Sequence, residues 1–208
     1  EVSDTVGNLG TSATNNVTKD TTPPAVAITS PADSTYINIA NDSASFTVSG
    51  TCNENGQTID IKIDGISAGG QSGFVCDGTN FTGTINSIGI AQGALVLTAY
   101  LADVGGNNTT STGINLTKDT IAPAVALTNP ANSSMITAAT DSATFAADGT
   151  CDENGLVAVL KVNASIAASQ VGFVCDGTNW SGTFDSTGIA YATGHAFTVE
   201  ITDAAGNL

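Results

Sequence analysis

The residues in this chain that could do chemistry are carboxylates, amides and cysteines, and they recur in fixed company. GTCNENG, Gly50 to Gly56, and GTCDENG, Gly149 to Gly155, each place a cysteine beside acidic and amide oxygens. A D-x-x-G-N loop occurs as DTVGN from Asp4, DVGGN from Asp103 and DAAGN from Asp203. Oxygens of this kind are hard ligands, which calcium gathers in sets of roughly six to eight. Nothing here has the spaced aspartates of an EF-hand loop. D-x-x-G-N also has a plainer reading as a turn, because Asp, Gly and Asn all favour turns for backbone reasons. Catalysis is not expected: the single histidine, His195, has no counterpart in the first copy, so no nucleophile and base recur together.

The four cysteines pair by position, Cys52 with Cys76 and Cys151 with Cys175, each pair 24 residues apart. With no C-x-x-C element and too few further ligands for zinc, the spacing predicts one intradomain disulfide per copy in an exported protein. Closing a loop of that length contributes on the order of 3 kcal/mol on the chain-entropy model. The alternative is two buried free thiols per copy in a reducing compartment.

The chain has 208 residues, 19 Asp plus Glu against 4 Lys plus Arg, and a formal charge of -15. Such a surface repels nucleic acid and anionic membranes. No apolar run approaches the roughly 20 residues that span a bilayer, so no membrane insertion is expected in this segment.

Laid on itself, TKDTTPPAVAITSPADS from Thr18 matches TKDTIAPAVALTNPANS from Thr117, and GFVCDGTNFTGT from Gly73 matches GFVCDGTNWSGT from Gly172. Self-similarity of this kind marks a tandem duplication. Residues 1–21 read as the last strand and linker of a preceding unit, 22–120 as a first complete unit and 121–208 as a second. That second unit lacks a counterpart of TTSTGINLT, Thr109 to Thr117, so its last strand is missing or supplied from elsewhere.

Within a unit, short alternating runs are separated by Gly, Asn, Asp and Ser: AVAIT, ASFTVSG, TIDIKID, SGFVC, FTGTI, ALVLTAYLAD and STGINLT in the first. Phe46 and Val48 share one face, as do Leu95, Leu97, Ala99 and Leu101. Seven short strands in about 95 residues predict an all-β chain of tandem immunoglobulin-like β-sandwich domains. Trp180 and its equivalent Phe81 are expected in the core.

That topology brings the start of the first strand to the same end as two loops, so three acidic elements of each unit converge. In the first unit they are Asp20, then Asn53 and Glu54, then Asp103 and Asn107. In the second they are Asp119, then Asp152 and Glu153, then Asp203 and Asn207. Calcium at the domain junctions is the expectation these sets raise, beside the plainer one of turns and a solubilising surface.

The linker DTTPPAVAITSP, the endings AYLADVGGN and ITDAAGN, and the cysteine framework resemble bacterial immunoglobulin-like repeats in the stalks of large surface adhesins and other exported proteins. The resemblance implies an extended row of sandwiches outside the cell or on its surface, with junction calcium in some families, falling here on Asp20, Asp103, Asp119 and Asp203. The expected role is that of a structural spacer, whose partners are neighbouring repeats in the same or an adjacent chain. Two alternatives stand beside it: a filament subunit assembled by β-strand donation through the N-terminal segment Ser12–Thr18, and a module binding glycan or protein. A receptor, if any, is not named by these residues.

Overall fold

The computed structural model describes residues 1–208, which form strands, turns and no helix. A small hairpin, β1 (Val2–Ser3) with β2 (Leu9–Gly10), brackets the first D-x-x-G-N loop. The first unit then contributes β3 (Val26–Ser30), β4 (Thr35–Ile37), β5 (Phe46–Cys52), β6 (Ile59–Ile63), β7 (Ile66–Ser67), β8 (Asn80–Ile85), β9 (Gly93–Ala102), β10 (Asn108–Thr110) and β11 (Ile114–Lys118). One sheet has the order β3-β5-β8, and the other has β4-β11-β9-β6-β7 with β10 extending the edge of β9. All pairings are antiparallel except β4 with β11.

The second unit has β12 (Val125–Asn129), β13 (Phe145–Cys151), β14 (Ala158–Val162), β15 (Ser165–Ile166), β16 (Ala168–Val171), β17 (Asn179–Asp185) and β18 (Phe197–Ile201). Its sheets run β12-β13-β17-β16 and β15-β14-β18. The chain is thus all-β, with two β-sandwich units and one disulfide in each, Cys52–Cys76 and Cys151–Cys175.

Alternation builds the core as the sequence requires. In β5 the inward residues are Phe46, Val48, Gly50 and Cys52, and in β9 they are Leu95, Leu97, Ala99 and Leu101. The glycine of each GTC run makes room for the aromatic opposite. A Cβ on Gly149 would lie 1.8 Å from the Ala126 carbonyl oxygen and 2.8 Å from Trp180 Nε1, and one on Gly50 would lie 2.5 Å from a ring carbon of Phe81. Trp180, 1% exposed, crosses Phe173 edge-on at 5.3 Å and donates its N–H to Ala126 O at 3.1 Å. That hydrogen bond lets a large polar-tipped ring be buried at little cost.

Strand boundaries depart from the sequence expectation in three places. Ser72–Cys76 is no continuous strand: Ser72 bridges Thr84 in one sheet and Val75 bridges Thr58 in the other. Gly73, at φ +84°, lets the segment cross between sheets while Phe74 points into the core. The short edge strands β4 and β7 are additional. The last strand of the first unit is split at Ser111, whose hydroxyl accepts the Ala99 N–H at 2.9 Å in place of a backbone carbonyl.

Candidate functional site

The three D-x-x-G-N loops close with the same pair of Asp–Asn hydrogen bonds. In the second, Asp103 Oδ1 accepts the Asn107 N–H at 2.8 Å and Oδ2 accepts the Asn107 side-chain amide at 2.8 Å. In the third, the corresponding Asp203–Asn207 distances are both 2.8 Å. In the first, Asp4 Oδ1 accepts Asn8 N–H at 2.9 Å and Oδ2 accepts the Asn8 amide at 2.8 Å. Gly7, Gly106 and Gly206 share a φ of +88°, which only glycine adopts freely. These aspartates and asparagines therefore close their own turn, and the turn reading accounts for their recurrence. Burial works to raise the Asp203 carboxyl, but hydrogen bonds from Asn207 and from the Ala205 and Gly206 backbone hold it below the ordinary carboxylate range.

The other acidic positions are spent partly on the chain as well. Asn53 Oδ1 accepts Ala25 N–H at 2.7 Å and Asp152 Oδ1 accepts Ala124 N–H at 2.8 Å, so each pins the incoming first strand of its unit. Asp20 Oδ1 accepts Thr22 N–H at 3.0 Å and Asp119 Oδ1 accepts Ile121 N–H at 3.1 Å. Glu153 differs: burial, then the negative charges of Asp203, Asp152 and Asp119, push its carboxyl above the usual range. Four carboxylates thus share one field at the head of the second unit. The first unit has Asn53 where the second has Asp152, and so one charge fewer at Asp20, Glu54 and Asp103.

No three of the His, Cys, Asp or Glu side chains are arranged as a ready metal cage. The donor chemistry still fits a hard cation, because the carboxylates of Asp119, Asp152 and Glu153 keep oxygens that no N–H occupies and their mutual repulsion is unrelieved.

The third loop also does something the sequence did not reveal. Asn207, 2% exposed, accepts the Ile39 N–H of the first unit on Oδ1 at 2.9 Å and donates to the Asp119 carbonyl of the linker at 2.9 Å. Beside it, Asn38 donates its side-chain amide to Ala205 O at 2.6 Å. The loop is thereby clasped to the base of the preceding sandwich. Asn107 makes the weaker equivalent to Asp20 O at 3.4 Å. No motif marks Asn38 and Ile39; their only signal is position, on the turn just after β4.

A second missed residue is Lys118. It is 2% exposed, and its ammonium donates to Ser87 O at 2.6 Å and Ile88 O at 3.2 Å beside Asp42 at 3.1 Å. His195 is held by Asn163 and the Ala190 carbonyl, each at 2.8 Å. No helix is long and apolar enough to cross a membrane.

No protein-family model matches the chain, and no curated protein matches it. Solved structures do. A calcium-stabilised adhesin with which an Antarctic bacterium reaches out and binds ice is similar at 24% identity and a TM-score of 0.45, over 99% of this chain and 52% of that one. Fibronectin(III)-like modules of Clostridium thermocellum CbhA follow at 14% identity and 0.43, over 88% of each chain. A 1.5-MDa bacterial ice-binding adhesin shares 21% identity at 0.41, over 90% of this chain and 62% of that one. This chain spans about half the length of the first of these. At such values the likeness is one of fold and carries no argument about function.

Proposed function

We propose that this chain is a spacer segment of a bacterial surface adhesin or extracellular fibre, of the bacterial immunoglobulin-like kind, in which sandwiches follow one another in a stiff row outside the cell. The observation that carries this reading is the clasp at Asn207, which joins its own loop, the linker and the preceding unit in one hydrogen-bonded node. A loop spent on its neighbour is a mechanical element. The duplicated units, the disulfides and the anionic surface support the same reading, since disulfides persist in oxidising compartments. The partners are then neighbouring units of the same kind.

Calcium belongs to this proposal as the ion that would draw Asp119, Asp152, Glu153 and Asp203 together at the head of the second unit. Asp20, Glu54 and Asp103 would do so at the first, with Asn53, Asn107 and backbone carbonyls as neutral donors. The ion supplies positive charge where like charges are crowded, and so favours the docked, folded arrangement.

Thermal unfolding under oxidising conditions, in excess calcium and in excess chelator, tests the role of the ion. At calcium near 100 times its dissociation constant, binding adds about 2.7 kcal/mol, a rise of several degrees in Tm. Asp119→Ala with Asp203→Ala should abolish the difference. Equal Tm in both conditions means the acidic loops are turns and the joints hold by packing and the clasp alone.

A further inference from the structure

The outward face of one sheet changes character between the two units. In the first, Asp60 on β6 accepts the Ser67 hydroxyl and the Gln71 side-chain amide, each at 2.7 Å, and the Lys62 ammonium lies 4.5 Å over the ring of Tyr100. At the equivalent positions the second unit has Val159 for Asp60, Ile166 for Ser67 and Val157 for Thr58. Gln170, the counterpart of Gln71, turns its amide to the Leu160 and Ala167 carbonyls instead, at 2.9 and 3.1 Å. Both ends of the polar contact are replaced together, which strands no polar atom. The isoleucine arrives by exchange of two letters, Ile66-Ser67 in β7 against Ser165-Ile166 in β15. Ile66 is opposite Ile63, whereas Ile166 is opposite Lys161. Successive strand residues point to opposite sides, so the exchange moves the isoleucine to the outward face.

The result is a continuous apolar strip. Val174 bridges Val157, Val159 follows on the same face of β14, and Ile166 lies beside Lys161. Val157, Ile166 and Val174 are 61%, 69% and 51% exposed, and the strip borders a shallow groove of about 570 Å³. The only outward charges on the β15-β14-β18 sheet are Lys161 and Glu200, which pair with each other. A contiguous apolar patch rimmed by polar groups marks an interaction surface. In the first unit the strands that follow β9 lie on its side away from β6. A segment repeating them beyond β18 would extend the sheet and leave the outward face of β14 and β15 open.

We infer that this strip is a contact surface for the same strip of a second copy of the chain, the two related by a two-fold axis. Charge selects the occupant. At a formal charge of -15 two copies repel over most of their surface, and they can approach where no carboxylate is left unpaired. A cationic partner would be drawn to the crowded carboxylates at the head of the unit, and an anionic one would be repelled. A second copy brings exchangeable charges: a two-fold axis in the contact plane between Lys161 and Glu200 sets the lysine of each copy against the glutamate of the other. Val159 is directly opposite Glu200 and two residues from Lys161, so the same axis runs beside it and lays it near its own counterpart. Such an interface is isologous and closes at two copies. It would join adjacent rows side by side, and it needs neither calcium nor the Asn207 clasp, so it stands or falls apart from the spacer reading.

Sedimentation of the 208-residue chain, in chelator and in about 0.5 M NaCl to screen the shared negative charge, should show a mass that rises with concentration to twice that of the chain. Val159→Asp with Ile166→Ser gives the second unit residues that the first already folds with. Its Trp180 emission should be unchanged and its association at least about tenfold weaker. Lys161→Glu and Glu200→Lys should each be monomeric alone, and an equimolar mixture of the two should pair one to one, because each supplies the charge that the other lacks. A wild-type chain that stays monomeric to about 1 mM under these conditions overturns the inference. So does association of the Val159→Asp, Ile166→Ser chain equal to that of the wild type, and so does a mixture of the two charge variants that stays monomeric.

Discussion

The two units share a cysteine frame, an aromatic pair and a set of turns, yet their cores differ. Sixteen buried residues form the first core and ten the second. The difference is concentrated at one edge. In the first unit β11 lies between β4 and β9, Ile37 is buried, and Leu97, Ala99 and Leu101 are fully enclosed. In the second, Ser134–Ile136 has no strand partner, Met135 is exposed, and Phe197 and Val199 are half-buried. One strand of five residues therefore organises two neighbours and closes the core, and its lysine anchors its end.

The comparison can be broken most forcefully at the disulfides. Each closes a loop of the same length and contributes about 3 kcal/mol, but the smaller core of the second unit leaves less in reserve. Reduction is expected to unfold the second unit first, followed by Trp180 emission, since the single tryptophan lies there. The first unit should keep the amide protection of β5 and β9. Simultaneous loss of both would show that core size does not separate them.

The equivalent aspartates sharpen the contrast. Asp42→Ala leaves the Lys118 ammonium buried without its carboxylate, at about 3 kcal/mol. Asp141→Ala removes only a hydrogen bond from Ser186, at about 1 kcal/mol. Chemical denaturation of each variant at a concentration where the chain is monomeric measures both.

The smallest effect concerns pH. Asp203 is held below the ordinary range, so its contribution to stability is present at neutral pH and is lost as pH falls through its lowered folded value. Glu153 runs the other way. Its raised value marks a penalty present at neutral pH that disappears as the carboxyl takes up a proton. In chelator, lowering pH from 7 toward about 5 should stabilise the second unit slightly, and further acidification below about 4 should destabilise it. Glu153→Gln should remove the first arm and stabilise the unit at pH 7 by less than about 1 kcal/mol.

Periodicity and punctuation made the sandwich legible, because alternate residues of a strand face opposite sides. The cysteines were legible through equal spacing in two copies, and Trp180 through its match to Phe81. Residues whose roles arise only from non-local neighbours were not. Lys118 reads as a surface charge until Asp42 and two carbonyls from remote turns surround it, and Asn38 reads as a loop residue until Ala205 sits against it. The D-x-x-G-N loops read both as turns and as ligand sets, and the hydrogen bonds from Asn107 to Asp103 and from Asn207 to Asp203 are those of the turn. Only Glu153, for which no turn provides donors, carries the mark of crowded charge.

The clasp is the centre of the spacer reading, and residual dipolar couplings test it most directly. For the 208-residue chain in calcium, kept monomeric, one alignment tensor should fit the amides of both units, and Asn207→Ala should split it into two of different magnitude. Two independent tensors in the unaltered chain would contradict a joint stiffened by Asn207.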